Sequence, residues 1–188
     1  DVPNLGDVTL IDWSEVGRPD VVAAGFPCQD ASDAGCRAGI DGEQTGLWVE
    51  VARCVRHLRP RWIVLENVTG LLARGFGGVV GDLAEVGYDA EWDCVPAAAV
   101  GAPHLRARTW VLAYPRGQRS ETHDPVQAGW PQPQLCAGWD TEPPVGRVAD
   151  GVPRRLVGAI HQQNRALGNA VVPQVAEHIG RLITQAAA

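Results

Sequence analysis

A chain of 188 residues is long enough for one domain with a real core, and its 45% hydrophobic and 20% charged residues are an ordinary globular balance. The net charge of −6 argues against a uniformly cationic nucleic-acid binder, and no apolar run approaches the roughly 20 residues of a membrane span. None of the five cysteines forms a C-x-x-C pair, so no metal site is expected, and their odd number points to a reducing cytoplasm.

Short apolar runs alternate with helical patterns along the chain. Val8–Ile11 reads as a short strand and Asp20–Phe26 as a buried one. From Gly46 to Leu58 the residues Leu47, Val51, Val55 and Leu58 recur at helical spacing, with Pro60 just beyond. Trp62–Leu65 reads as another buried strand, ending in Glu66-Asn67. Residues 76–86 read as helix, Tyr88–Val95 as extended and Thr109–Ala113 as a further strand. This alternation predicts an α/β domain with a parallel sheet and covering helices. Seven of the 14 prolines fall between Pro115 and Pro153, which predicts a small irregular insert. A last helix is expected from Pro173 to about Gln185, with Val175, Ile179, Leu182 and Ile183 as its apolar stripe.

In open parallel sheets ligands bind at the carboxyl ends of strands. The first long strand runs into Phe26-Pro27-Cys28-Gln29, and the next runs into Glu66-Asn67. A lone cysteine is more often a small buried hydrophobe than a nucleophile. Cys28 departs from that pattern because it follows a rigid proline and opens a Gly-rich loop, whereas Cys54 and Cys94 fall within elements and read as structural. Glu66 directly after four apolar residues is either a cleft carboxylate, whose burial would raise its pKa, or a surface acid at a strand exit. Arg106 and Arg108, two apart before the Thr109 strand, share a face if extended. If that strand runs antiparallel to the others, its start lies at the same sheet edge as Cys28 and Glu66. A solvated strand end remains the plainer account of the arginine pair. Charge is also uneven: residues 1–100 carry 7 Arg against 16 acids, and residues 101–188 carry 9 Arg against 6. That leaves open a polyanion on one face or merely an uneven solvated surface.

Taken together, PCQ (27–29), ENV (66–68), H-x-R-x-R (104–108) and GNAVVP (168–173) resemble the motif series of DNA cytosine-5 methyltransferases of bacterial and phage type. GDVT (6–9), GFPCQDAS-x-AG and the following GLW also resemble that family. The resemblance covers roughly residues 1–114 and 165–185. It implies a Rossmann-like class I methyltransferase fold acting on double-stranded DNA with S-adenosylmethionine. Cys28 would attack C6 of a flipped-out cytosine, Glu66 would bond the base at N3, and Arg108, supported by Arg106, would hold its O2. Asp7 would contact the cofactor adenine, with Pro27, Leu47 and Asn169 lining the rest. Gln29 and Ser32 would touch the flipped nucleotide or its phosphate.

The departures shape the remaining expectations. The family's Gly-rich F-x-G-x-G turn and the acid that grips the cofactor ribose are not in this sequence. The resemblance therefore implies a partial fold that starts at the third motif, an incomplete cofactor site and doubtful activity alone. Such a chain would pair with the missing N-terminal part of the same protein. His104 stands where the family has Gln, and Gln44 where it has Arg. The implied organisation is a partial catalytic domain at 1–114, a reduced target-recognition insert at 115–164, and a returning GN motif and helix at 165–188. The alternatives are an inactive DNA-binding homologue or subunit, and the tRNA-modifying branch. No Cys-Phe-Thr signature supports the latter, since Cys136 is followed by Ala-Gly.

Overall fold

A computed structural model describes residues 3–26, 47–102, 104–118, 130 and 170–186. The chain divides into two compact units, Asp1–Val95 with Ala107–Trp130, and Pro96–Arg106 with Pro131–Ala188. The first unit is built on a four-stranded sheet in the order β1-β2-β4-β3, where β1 is Val21–Ala24, β2 Trp62–Val68, β3 Tyr88–Val95 and β4 Arg108–Pro115. Helix α1 (Leu47–Leu58) lies in sequence between β1 and β2, which pair in parallel, as a crossover connection requires. Helix α2 (Phe76–Glu85) precedes β3.

The predicted parallel sheet is in fact mixed. β4 inserts antiparallel between β2 and β3, so its first residue, Arg108, pairs with Val68 at the end of β2. The core lies against one face, where Ile63 and Leu65 of β2 and Val111 and Ala113 of β4 meet Trp48, Ala52 and Val55 of α1 and Val79 and Leu83 of α2. Alternation turns Trp62, Val64, Leu112 and Tyr114 to the other face, where they too are buried. The apolar stripe of α1 is rotated from the expected one. Trp48 and Ala52 join Val55 and Leu58 in the buried set, while Val51 is only half-buried.

Two further readings are corrected. The Asp20–Phe26 strand shortens to Val21–Ala24 and is not buried: Val21 is 40% exposed, because β1 has β2 as its only sheet partner among the described residues. Val8–Ile11 is not a strand but a 3-10 turn, Val8–Leu10. Asp7 Oδ1 accepts from Thr9 N at 2.9 Å and Thr9 Oγ1 at 2.8 Å, and such local bonds compete with a sheet ladder.

In the second unit, helix α3 (Pro173–Ala186) buries Val175, Ile179, Leu182 and Ile183, the expected stripe. None of the described helices is long and apolar enough to cross a membrane.

Burial predicts how substitutions divide. Ile63→Val, at a fully buried position, should cost about 1 kcal/mol in urea unfolding at constant m-value, whereas Val21→Thr on the exposed edge should stay within about 0.5 kcal/mol of wild type. Equal effects would contradict the placement of β1.

Candidate active site

The register of β1 against β2 pairs Ala24 with Leu65, so Gly25, just past the end of β1, comes beside Glu66, which stays in β2 opposite Trp110. A Cβ placed on Gly25 would lie 3.6 Å from Glu66 Oε2. Glu66 therefore sits at the mouth of the β1 end, on the face opposite Leu65, with 17% of its side chain exposed. Across the β2–β4 pair, Glu66 is opposite Trp110 and Val68 is opposite Arg108, which makes Glu66 and Arg108 diagonal neighbours on one face. Arg108 Nε lies 3.2 Å from Glu66 Oε1, and Arg108 NH1 donates to Ala107 O at 3.0 Å. Two charges so sheltered depend on each other, because removing one strands the other in a poorly hydrated place.

A second set of contacts fixes the chain just before Cys28. Phe26, 6% exposed, packs its ring 5.2 Å from Trp48 at a 51° tilt. Trp48 Nε1 donates to Asp82 Oδ2 at 2.6 Å, tying the start of α1 to α2. The buried Asn67 donates from Nδ2 to Phe26 O at 3.2 Å and accepts from Val68 N at Oδ1, 2.9 Å away. The residues that flank PCQ, open α1 and follow Glu66 thus form one packed joint. Phe26, Trp48 and Asn67 were not singled out as site residues from sequence. Their signal was adjacency, since each lies within two residues of a residue that was.

Of the residues implied for a cofactor, Asp7 and Leu47 lie in the described structure. Pro27 and Asn169 fall outside the described residues, as do Cys28, Gln29 and Ser32. Asp7 is exposed, and its hydrogen bonds from the Thr9 backbone and hydroxyl hold its carboxyl below the usual value near 3.8. Both bonds fall on Oδ1. An anchored, ionised carboxylate fits an amine donor such as that of adenine. Leu47 opens α1, half-buried.

Arg106 corrects another expectation. Its backbone is left-handed, with φ of 32°, and β4 begins only at Arg108, so the extended alternation that would give the two arginines one face does not reach it. Within its own unit, Arg106 donates through NH2 to the carbonyl of Ala170. Cys54 is buried, and burial pushes its thiol above the usual 9.0, while Cys94 Sγ rests 3.7 Å from Thr109 Oγ1. Neither has the setting of an activated nucleophile.

Residues 2–149 match the family described as C-5 cytosine-specific DNA methylase. The chain belongs to that family. The type II methyltransferase M1.ScrFI of Lactococcus lactis subsp. cremoris is 32% identical over 123 residues, 63% of this chain and 32% of the relative. M2.BsuMI of Bacillus subtilis (strain 168) is 38% identical over 107 residues, 53% of this chain and 28% of the relative. The chain thus spans about a third of the length of the curated relatives it matches. A solved structure described as a prophage-encoded DNA modification methyltransferase (E. coli) aligns with a TM-score of 0.50 at 22% identity, over 67% of this chain and 36% of that one. That likeness is one of fold, a partial Rossmann-like class I methyltransferase sheet.

The joint around Phe26 predicts a measurable effect on stability. Asn67→Ala should cost about 1–3 kcal/mol in denaturant unfolding, because it leaves the Phe26 carbonyl and the Val68 amide without their side-chain partner. A neutral substitution would show that the joint contributes nothing to the fold.

Proposed function

We propose that this chain carries the base-activating machinery for S-adenosylmethionine-dependent methylation of cytosine C5 in double-stranded DNA, with Cys28 as the nucleophile. The observation that carries the reading is the Glu66–Arg108 ion pair beside Gly25, three residues before Cys28. A carboxyl group and a guanidinium on one face suit the N3 and O2 edge of a cytosine, which offers two acceptors to two donors once Glu66 carries a proton.

The Cys28 thiolate forms a bond to C6 of a base turned out of the duplex. Electron density moves toward N3 and O2, where the Glu66 carboxyl donates a hydrogen bond and Arg108 holds the growing charge. C5 becomes the nucleophilic carbon. S-Adenosylmethionine, when bound, supplies an electrophilic methyl group. Loss of the C5 proton to a base then re-forms the C5–C6 double bond as the C6–S bond breaks, and the Cys28 thiolate is released. Asp7, Pro27, Leu47 and Asn169 would hold the cofactor. The Arg106 bond to the Ala170 carbonyl would brace the residue next to Asn169. Gln29 and Ser32 would meet the flipped nucleotide or its phosphate, and the basic residues 101–188 would face the DNA backbone.

In this reading residues 1–114 and 165–188 form the catalytic part and 115–164 a short target-recognition insert. The family's F-x-G-x-G turn and ribose-gripping acid, which are not among the 188 residues, would come from the rest of a longer protein, which would work in the cytoplasm of a bacterial or phage-infected cell. The match to a third of each relative supports this.

Two outcomes follow for the protein extended to its full reading frame. A duplex containing 5-fluorocytosine, which cannot lose a proton from C5, should trap a denaturation-resistant adduct with wild type and S-adenosylmethionine, and none with Cys28→Ser. An adduct on Cys28→Ser would overturn the nucleophile assignment. Glu66→Gln and Arg108→Ala should each lower turnover by about 100-fold or more in a methyl-transfer assay, and near-normal rates would remove the ion pair from the chemistry.

A further inference from the structure

Arg53 belongs to none of the catalytic or cofactor assignments above, yet its guanidinium is committed on every side. It lies on α1, six residues after Leu47. NH1 donates to Ile11 O at 2.9 Å and NH2 to Val8 O at 2.8 Å, while Nε meets Glu50 Oε2 at 2.6 Å. Its central carbon stands 5.8 Å from the centroid of the Trp13 ring. The two carbonyls lie three residues apart, one in the 3-10 turn Val8–Leu10 and the other in the residue that ends it. A planar fork with fixed donors suits two such acceptors, whereas an ammonium directs its hydrogens from one point.

The turn has little else to hold it. None of its three residues is buried, and Leu10 is 82% exposed. Val8 and Ile11 only border a small cluster formed by Trp13, Cys54 and Leu58. The residue that caps this turn is Asp7, whose carboxylate is fixed by Thr9 and kept ionised. Arg53 therefore pins the carbonyl of the residue immediately after Asp7, and Glu50 in turn orients Arg53.

We propose that Arg53 is a positioning residue for the cofactor: its fork holds the turn that presents the Asp7 carboxylate to an adenine amine, and so pre-organises that half of the site. The inference rests on the cofactor reading above. A turn anchored before binding spares the ligand the cost of ordering it, so the fork contributes to affinity and not to the chemical step.

The test uses the protein extended to its full reading frame, with S-adenosylhomocysteine as the calorimetric probe and hydrogen exchange as the second readout. Arg53→Ala should weaken S-adenosylhomocysteine about tenfold, speed exchange at amides 8–13 and leave exchange in β2 unchanged. Turnover at saturating S-adenosylmethionine should stay near wild type. Arg53→Lys, able to keep the charge but not both carbonyl bonds, should fall between. If exchange accelerates while affinity is unchanged, the fork only stiffens the turn and the proposal is overturned, with the methyltransferase reading intact. If Arg53→Ala does not fold, Arg53→Lys decides: severalfold weaker binding supports the proposal and wild-type affinity overturns it. A wild-type protein that fails to bind S-adenosylhomocysteine overturns the cofactor reading, and the proposal falls with it.

Discussion

A carboxylate at the end of an apolar strand is tolerated only where something compensates its lost hydration, and here that partner comes from the strand that runs the wrong way. Because β4 enters antiparallel between β2 and β3, its first residue arrives where β2 ends, and Arg108 reaches Glu66 at 3.2 Å. A parallel β4 would have put Arg108 at the far end of the sheet, some six residues and roughly 20 Å away at strand rise. The topology, the ion pair and the pairing of chemical groups at one edge are a single constraint.

That edge is stiffened from beneath. Phe26 lies between the Trp48 ring and the Asn67 amide, so the backbone is fixed immediately before Pro27 and Cys28. The indole of Trp48 reaches Asp82, which extends the same joint into α2 and the main core. Packed side chains thus set where the segment after Phe26 begins. The ion pair and the joint lie on different faces of β2.

Much of this was legible in the sequence for definable reasons. Long, strongly periodic segments such as Pro173–Ala186 and apolar runs such as Trp62–Leu65 specify their elements locally, and Glu66 announced itself by standing where a charge is costly. Val8–Leu10 misled because three apolar or β-branched residues look like a strand, while a single Asp side chain decided the turn. Val21–Ala24 misled because composition reports hydrophobicity and not the number of sheet neighbours. The face of Arg106 depended on a left-handed backbone that nothing in a non-glycine residue signals. Arg53, one of three arginines within seven residues, could not be told from its neighbours until its partners across 42 and 45 residues were seen.

The most direct measurement is a crystal structure of the adduct trapped on 5-fluorocytosine DNA. It should show Cys28 Sγ bonded to C6, with Glu66 and Arg108 each within about 3 Å of the pyrimidine edge. A base held elsewhere while Glu66 and Arg108 remain paired only with each other, or a bond to a different cysteine, would contradict the account.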